Sequence, residues 1–406
     1  MSNNTKIFKL RGRVQHYTWG GMDFIPALLH LPNTDKKPFA EYWMGAHDNV
    51  PAEVILPDGS QQPLNAFVKQ DAATALGAAV HQRFGRLPYL LKVLDVKDML
   101  SIQVHPTKKA AESAFAAENM KGTPLTAPNR NYKDDNHKPE LMLALSDFWL
   151  LHGFKSPQAL VTILMQTPEL QFLVPLFDNK NYHALYETVM TMDQQEVDER
   201  LQPLLDRIVP LYEKGFLNRS QEDFWAARAA KTFCEPNKLD RGIFSVYLFN
   251  LVNLKPGEAI FQDAGIPHAY LEGQNMEIMA NSDNVLRGGL TNKHIDVPEL
   301  MHHTKFEEVI PDILKGTAGA VPGETIFPTP AADFELRRLV LQPGAPVSLT
   351  ATTAEIFFVY EGAVKAADGN NEISLNKGEA MLTTAGAAFA LQATQDAVVF
   401  RATVPQ

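Results

Sequence analysis

The stretch Leu254-Lys-Pro-Gly-Glu-Ala-Ile-Phe-Gln-Asp-Ala-Gly-Ile-Pro-His268 combines a turn, a short apolar run and a second bend before a histidine. The pattern returns at a constant offset in Leu375-Asn-Lys-Gly-Glu-Ala-Met-Leu-Thr-Thr-Ala-Gly-Ala-Ala-Phe389. Glycine at each bend permits tight turns between short strands. We therefore predict two β regions of similar local fold, one presenting an imidazole inward and the other an apolar ring. Chance is the alternative, because Gly-Glu-Ala after a turn is common in β-barrels.

Strand and helix signals predict a mainly β protein with an α-helical insertion. The insertion begins at Ser156-Pro157, an N-cap followed by proline at the first helical position. A linker rich in Pro, Gly and Thr, from Thr317 to Pro330, precedes the last β region. The predicted units are a discontinuous β domain (1–155 and 236–316), an inserted helical domain (156–235) and a C-terminal β domain (317–406).

Several individual elements follow from periodicity and composition. Leu87–Asp95 is predicted to form a largely buried strand, and Leu100–His105 is predicted to form a strand with one polar face. Thr107–Ala117 reads as a short helix. The apolar run Phe244–Leu254 is predicted to form one long strand. Within the insertion, Pro203 and Pro210 are expected to kink or split a helical stretch.

Bulk composition limits the class of protein. A chain of 406 residues exceeds one ordinary compact core, so two or three domains are expected. The net charge of −10, without a block of Lys or Arg, argues against a nucleic-acid or anionic-membrane surface. The single cysteine, Cys234, rules out an internal disulfide and is expected to be a small buried filler. With no signal-like apolar core in Met1–Arg13 and no membrane-length apolar run, we expect a cytoplasmic protein.

Three distant segments offer metal ligands of matching chemistry. Gln103 and His105 lie two apart on one predicted strand, so both face the same side. Glu140 and His268 supply a carboxylate and a second imidazole. Two histidines, one carboxylate and one neutral oxygen donor form a plausible zinc sphere with room for substrate or water.

Each segment alone has a simpler explanation. Gln-x-His is commonly an ordinary hydrogen-bonded strand pair, and Glu140 alone would be a surface carboxylate. His268 has the strongest context, because Gly257…Gly265-x-x-His268 resembles the second half of a cupin metal motif. The joint occurrence of the segments favours a metal site. His47 is a less favoured ligand.

Metal-assisted sugar chemistry also needs proton transfer and cations for a phosphorylated substrate. Arg287 and Lys293 could form a local positive pocket, although both could be solvated loop charges. The candidates for proton transfer, which the sequence does not separate, are His137, Lys138, Glu277, Asp283 and Arg287. Trp19 is a possible sugar-stacking wall, whereas Trp43 is at least as well explained by packing.

Together these residues resemble type I mannose-6-phosphate isomerase (phosphomannose isomerase), of the cupin superfamily. The likeness covers Tyr17–Gly20, Glu41–His47, Leu91–Pro106, Asp135–Glu140, Pro267–Tyr270, Glu277 and Asn281–Lys293, in the family's order. One departure is Gly289-Leu-Thr-Asn292-Lys293, where the family usually has G-L-T-P-K. Asparagine in place of proline loosens the backbone before Lys293.

The resemblance implies a fold of two cupin-type β-barrels (jelly rolls) with a helical insertion, the C-terminal barrel being metal-free. It implies one Zn²⁺ per chain, held by Gln103, His105, Glu140 and His268. It also implies Arg287 in the active site, with Lys138, Ser101 and Lys293 near the phosphate or sugar. Tyr270 falls within the same likeness and is expected to contact substrate.

The implied reaction interconverts mannose 6-phosphate and fructose 6-phosphate by proton transfer through a cis-enediol. Two alternatives stay open: a metal-dependent bicupin oxygenase and a non-catalytic sugar-binding cupin. The expected partner is a phosphorylated hexose, with no nucleic acid and no membrane. A monomer or weak homo-oligomer is expected, and the general base, the tolerance for other metals and the activity on other sugars are left open.

Overall fold

A computed structural model describes residues 5–369 and 371–405. Strands make up 31% of the chain and helices 29%, so strand only slightly exceeds helix. Among the described residues, none of the helices combines the length and the apolar character needed to cross a membrane. The strands gather in two parts of the chain, on either side of a helical segment.

The first part supplies short strands around one long buried strand. Its strands are β1 (Ile7–Arg11), β2 (Arg13–Gln15), β3 (Glu41–Gly45), β4 (Glu53–Ile55), β5 (Gln61–Pro63), β6 (Tyr89–Val96), β7 (Gln103–Val104), β8 (Glu140–Ala144) and β9 (Phe148–Phe154). Its helices are α1 (Phe24–Leu28), α2 (Leu64–Gln70), α3 (Ala72–Leu76), α4 (Ala78–Phe84) and α5 (Lys108–Met120). The prediction for Leu87–Asp95 is confirmed by β6, whereas that for Leu100–His105 holds only at β7.

The helical segment begins where the sequence predicts it. Its helices are α6 (Pro157–Gln166), a 3₁₀ segment (Pro168–Lys180), α7 (Tyr182–Thr191), α8 (Gln194–Glu213), α9 (Glu222–Phe233) and α10 (Gly242–Leu248). Ser156 caps α6 by accepting a hydrogen bond from the Ala159 N–H at 3.4 Å. Helix α8 runs through Pro203 and Pro210 as one element, so neither proline splits it.

The remaining elements complete the two β parts of the chain. They are β10 (Phe249–Leu254), β11 (Ala259–Gln262), β12 (His268–Ala280), β13 (Leu286–Arg287), α11 (Val297–His303), β14 (Thr317–Ala318), β15 (Glu324–Phe327), β16 (Glu335–Leu341), β17 (Val347–Thr350), β18 (Glu355–Glu361), β19 (Ala363–Ala367), β20 (Glu372–Asn376), β21 (Ala380–Thr383), β22 (Ala388–Ala393) and β23 (Ala397–Thr403).

The apolar run before β11 corrects one prediction. The sequence predicts a single strand over Phe244–Leu254, but the structure has α10 up to Leu248 and only then β10. All seven residues of α10 are buried. A helix buried on every side has no polar face, so hydrophobic periodicity does not separate it from a buried strand.

Three sheets organise the strands. One follows the order β10-β9-β12-β6-β3-β2, and β7, β8, β11 and β13 attach to it around β12. The second follows β14-β15-β16-β23-β18-β21-β1-β4-β5, and the third follows β17-β22-β19-β20. Among the described residues these are open sheets without a closed barrel. The structure therefore supports a sheet-rich fold with a helical insertion, but does not establish the jelly-roll barrels.

The second sheet joins the two ends of the chain. Strand β1 pairs antiparallel with β21, with Ile7 opposite Thr383, and also with β4, with Lys9 opposite Ile55. Residues from the first part of the chain therefore extend the sheet formed by the last part.

The two copies of the turn motif adopt the same local fold. Their first bends have φ of +89° and +84° (Gly257 and Gly378), and their second bends have +82° and +71° (Gly265 and Gly386). In each copy the glutamate after the first bend accepts a hydrogen bond from the N–H three residues earlier, at 2.9 Å and 2.7 Å. The predicted internal similarity is confirmed at the level of backbone and hydrogen bonds.

Candidate metal centre and its cavity

Three neighbouring strands align three of the predicted residues. His268, the first residue of β12, lies opposite Gln103 of β7, and Gln103 lies opposite Arg287 of β13. Side chains directly opposite each other in antiparallel pairs share one face of the sheet. The register therefore puts an imidazole, an amide and a guanidinium side by side.

His105, Glu140 and His268 form one buried group. One ligand atom from each lies within 4.8 Å of the others. His105 Nε2 is 3.4 Å from Glu140 Oε1, and His268 Nε2 is 3.5 Å from Glu140 Oε2. The ends of β7, β8 and β12 thus gather side chains that are far apart in sequence.

Backbone carbonyls set the tautomer of both imidazoles. Nδ1 of His105 is 2.9 Å from the Asn284 carbonyl oxygen, and Nδ1 of His268 is 2.9 Å from the Ile266 carbonyl oxygen. A carbonyl only accepts hydrogen bonds, so each Nδ1 carries a hydrogen and each ring directs its Nε2 atom toward Glu140. Burial lowers the pKa of His105 to about 4, which keeps this ring neutral near pH 7.

The arrangement fits a divalent metal such as zinc. The Nε2 atom of His105 is buried without a hydrogen-bond partner in the described structure. Two nitrogen lone pairs facing a carboxylate repel unless a cation lies between them. Two imidazoles and one carboxylate, with the Gln103 amide beside them, form a donor set that zinc accepts.

A second polar group lies across the same cavity. Glu277 accepts hydrogen bonds from the Tyr270 hydroxyl at 2.8 Å and from Lys92 Nζ at 3.1 Å. Lys92 Nζ is also 3.6 Å from Glu41 and stands 5.0 Å above the Trp43 ring. One buried ammonium thus holds two buried carboxylates in place.

Charge and burial shift this group toward its protonated forms. Burial raises the pKa of Glu277, and the neighbouring Glu140 and Glu41 raise it further against the opposing effect of Lys92. Burial alone would lower the pKa of Lys92, but the surrounding carboxylates raise it above its ordinary value. Burial and then Glu277 raise the pKa of the Tyr270 hydroxyl. A carboxyl with a raised pKa is suited to exchange protons near neutral pH.

The two groups meet in a cavity of roughly 60 Å³, space for about two water molecules. Its lining consists of Glu41, Lys92, Leu94, Leu100, Gln103, Lys138, Glu140, His268, Ala269, Tyr270 and Glu277. Lys138 Nζ lies 3.0 Å from Glu140 Oε1. The cavity therefore joins predicted metal ligands to predicted acid–base residues.

Three of the predicted residues are not among those that line this cavity. The His137 ring bonds to Asp333 at 2.9 Å and does not line the cavity. His47 bonds to Asp283 at 3.2 Å and lies outside the ligand group. Trp19 stacks against Tyr17, with ring centroids 5.8 Å apart, and packs against the buried apolar cluster that contains Tyr270.

Arg287 is half-buried on the strand next to Gln103, which lines the cavity, and Lys293 is exposed on the segment that follows. In the described part of the chain, Arg287 has no carboxylate or carbonyl partner for its guanidinium group. Burial lowers the pKa of Arg287, and burial together with Arg287 lowers the pKa of Lys293. Two cations that influence each other, and that have no counterion among the described residues, are a favourable place for an anion. Ser101 lies two residues before Gln103, at the start of the same segment.

Comparison with known proteins gives a consistent result. Residues 7–157 match the family described as phosphomannose isomerase type I, catalytic domain. The chain is 37% identical over 381 residues to mannose-6-phosphate isomerase of Escherichia coli strain K12, covering 93% of this chain and 94% of that protein. It is 32% identical to the mannose-6-phosphate isomerase of Homo sapiens, covering 98% of both. The chain belongs to the mannose-6-phosphate isomerase family.

A solved structure from this isomerase family agrees over the whole fold. Mannose 6-phosphate isomerase from Salmonella typhimurium, in a crystal structure bound to its substrate fructose 6-phosphate and to zinc, superposes with a TM-score of 0.88 at 32% identity. The match covers 99% of this chain and 100% of that one. The isomerase fold therefore extends through the helical insertion and the last β region.

Sequence reasoning missed two features of this isomerase-family site. Lys92 and Glu41 lie on buried strands, and a lysine inside the apolar run Leu87–Asp95 was the available signal, because a buried ammonium requires a carboxylate partner. His152, opposite His268 in the sheet, bonds through Nδ1 to Gln262 at 2.7 Å. A lone histidine in an apolar strand offered no comparable signal.

Proposed function

We propose that this chain is a zinc-dependent isomerase that interconverts mannose 6-phosphate and fructose 6-phosphate. The observation that carries the proposal is a buried His105–Glu140–His268 group, within 4.8 Å, across a cavity from the buried carboxyl of Glu277. Metal-assisted polarisation and proton exchange are the two requirements of an aldose–ketose isomerisation. Family membership supports the same activity.

Four residues would hold the metal: His105, Glu140, His268 and Gln103. A bound zinc ion would polarise the sugar carbonyl and hydroxyl oxygens. The chain's own contribution is to direct both Nε2 lone pairs to one point through the carbonyls of Asn284 and Ile266.

Glu277 is the proposed proton carrier between C1 and C2. Its carboxyl is buried, lines the cavity and is oriented by the Tyr270 hydroxyl and Lys92. One carboxylate can remove a proton from one carbon and return it to the next, which requires no redox partner. Lys138 also lines the cavity and is proposed to hydrogen bond the sugar oxygens. His137, whose ring bonds to Asp333, stays an alternative candidate that is not among the residues lining the cavity.

Arg287 and Lys293 are proposed to bind the phosphate group. Support comes from the half-buried guanidinium of Arg287, which has no hydrogen-bond or ion-pair partner among the described residues, and from its register beside Gln103. Ser101 is proposed to add a hydroxyl donor and Trp19 an aromatic wall near the sugar.

The fold proposal is two cupin-type jelly rolls with a helical insertion, divided as 1–155 with 236–316, 156–235 and 317–406. The repeated turn motif supports two related β units, since it occurs once in each. Phe389 occupies in the second unit the place of His268 in the first, which is why we propose a metal-free second barrel. We also propose a cytoplasmic monomer or weak homo-oligomer, because a single cysteine is typical of a reducing compartment.

A coupled assay for fructose 6-phosphate tests the function. Zinc-loaded protein should convert mannose 6-phosphate, and Glu277→Gln should lose at least about 100-fold in kcat while keeping its zinc. Glu272→Gln is a matched control on the same strand, because Glu272 pairs with Arg219 and Arg228 outside the cavity. Oxygen uptake with bound iron and no isomerisation would instead indicate an oxygenase, and sugar binding without turnover would indicate a non-catalytic protein.

A further inference from the structure

The segment that follows Arg287 turns sharply before it reaches Lys293. Leu290 has a φ of +52°, a left-handed conformation that residues with a Cβ rarely adopt, and its side chain is buried. A strained residue of this kind persists only when surrounding contacts hold it. The segment therefore depends on whatever fixes Leu290.

On one side, β7 holds the beginning of this segment. The Gly288 N–H donates to the Ile102 carbonyl at 2.9 Å, and the Ile102 N–H donates to the Gly289 carbonyl at 3.0 Å. These bonds, together with the register of Arg287 against Gln103, fix the segment as far as Gly289.

Asp240 holds the next two residues from the other side. Its Oδ1 accepts hydrogen bonds from the N–H groups of Leu290 at 2.8 Å and Gly242 at 2.7 Å, and its Oδ2 accepts one from Thr291 at 2.9 Å. The bond to Gly242 is local to the start of α10. The bonds from Leu290 and Thr291 join residues that are 50 and 51 positions from Asp240 in the sequence. Capping of α10 alone would not require them.

The close contact between α10 and the segment supports the same conclusion. A Cβ added at Gly242 would lie 2.5 Å from the Leu290 nitrogen, so only glycine permits this approach. Asn292 follows directly, where a proline would have stiffened the backbone. Asn292 does not restrict the backbone as a proline would. The hydrogen bonds from Leu290 and Thr291 to the Asp240 carboxylate restrict it instead.

We propose that Asp240 is a positioning residue, which holds Leu290 and Thr291 and so sets the path of the backbone between Arg287 and Lys293, the two cations proposed to bind the substrate phosphate. This rests on the proposed function, since it takes the anion at Arg287 and Lys293 to be the phosphate of the sugar. Asp240 acts through the backbone and does not touch the substrate.

The test compares Asp240→Ala, Asp240→Asn and the control Asp193→Ala as zinc-loaded proteins. Asp193 also accepts a backbone hydrogen bond, from Glu196 at 2.8 Å, but caps α8 and does not contact the segment. For mannose 6-phosphate the KM should rise on the order of tenfold in Asp240→Ala and about threefold in Asp240→Asn, which keeps one acceptor. The kcat should change by less than about threefold, and zinc content should stay the same.

Calorimetric binding of inorganic phosphate gives a second measurement that needs no turnover. Its affinity should fall in the same order, with Asp193→Ala unchanged. Phosphate affinity and KM within twofold of the unaltered protein in both Asp240 variants would overturn the proposal, and so would an equal loss in Asp193→Ala. If Asp240→Ala does not fold, Asp240→Asn decides. Phosphate binding that depends on Asp240, in a protein that does not isomerise the sugar, would overturn the proposed function alone.

Discussion

Replacing Lys92 by methionine removes the ammonium that lies between Glu277 and Glu41. The Lys92 side chain is 7% exposed, with carboxylate oxygens at 3.1 Å and 3.6 Å. Methionine keeps the apolar stem but leaves buried negative charge without a partner. Breaking a buried pair in this way costs about 3–5 kcal/mol. We therefore expect this loss in the free energy of unfolding of the zinc-loaded protein near pH 8.

The loss should shrink as the pH falls. Burial raises the folded-state pKa of Glu277, and removing Lys92 raises it further, so the ionised carboxylate destabilises the fold above that pKa. Near pH 5 protonation relieves this repulsion, and the deficit should become smaller. Guanidinium unfolding followed by tryptophan fluorescence measures it, since Trp43 lies under Lys92.

Lys365→Met is the matched control. Lys365 pairs with Glu372 at 2.9 Å on an open strand surface, where the two side chains are 45% and 55% exposed. A solvated pair of this kind contributes no more than about 1 kcal/mol. Equal losses for the two lysines, or a Lys92→Met deficit that does not change between pH 8 and pH 5, would refute the reasoning.

Three further outcomes are expected. Purified protein should contain about one zinc per chain, lose activity to a chelator and regain it with zinc; a chelated protein at full rate would contradict the metal site. Tyr270→Phe removes a hydrogen bond to the Glu277 carboxylate and so raises its pKa, which should move the acid limb of the kcat/KM profile to higher pH; an unmoved limb would argue against Glu277 as the base. Gly378→Ala should lower the thermal midpoint more than Gly59→Ala, because the two share a φ near +85° but a Cβ at Gly378 would lie 2.1 Å from the Leu28 carbonyl, whereas Gly59 faces open space; equal shifts would show that the contact relaxes.

The residues that come together in the candidate metal centre were accessible from sequence because spacing constrains them. The predicted strand puts Gln103 and His105 on one face, although β7 itself ends at Val104, and the bend at Gly265 comes just before His268 at the start of β12. The repeat was recognisable for the same reason, since a turn with positive φ restricts which residues fit. Local geometry thus carried these predictions.

What the sequence did not reveal depends on tertiary contacts. The sequence predicts strand where α10 lies, because the surroundings of this helix bury every side of it. Lys92 has no local signature that names Glu277 as its partner. The jelly-roll barrels stay a prediction, since the sheets of the described residues are open, and the pairing of β1 with β21 joins strands that the sequence assigns to different domains. Pairings between strands this far apart in the sequence do not produce a periodic pattern of residues.

The pairing of Ile7 with Thr383 also determines when this part of the sheet can form during protein synthesis. Strand β1 can pair early with β4, but its other neighbour, β21, is synthesised on the order of tens of seconds later. During that interval an apolar edge stays open to chaperones and to other nascent chains. Slowing translation should therefore increase aggregation of this protein more than of one whose early strands find partners nearby.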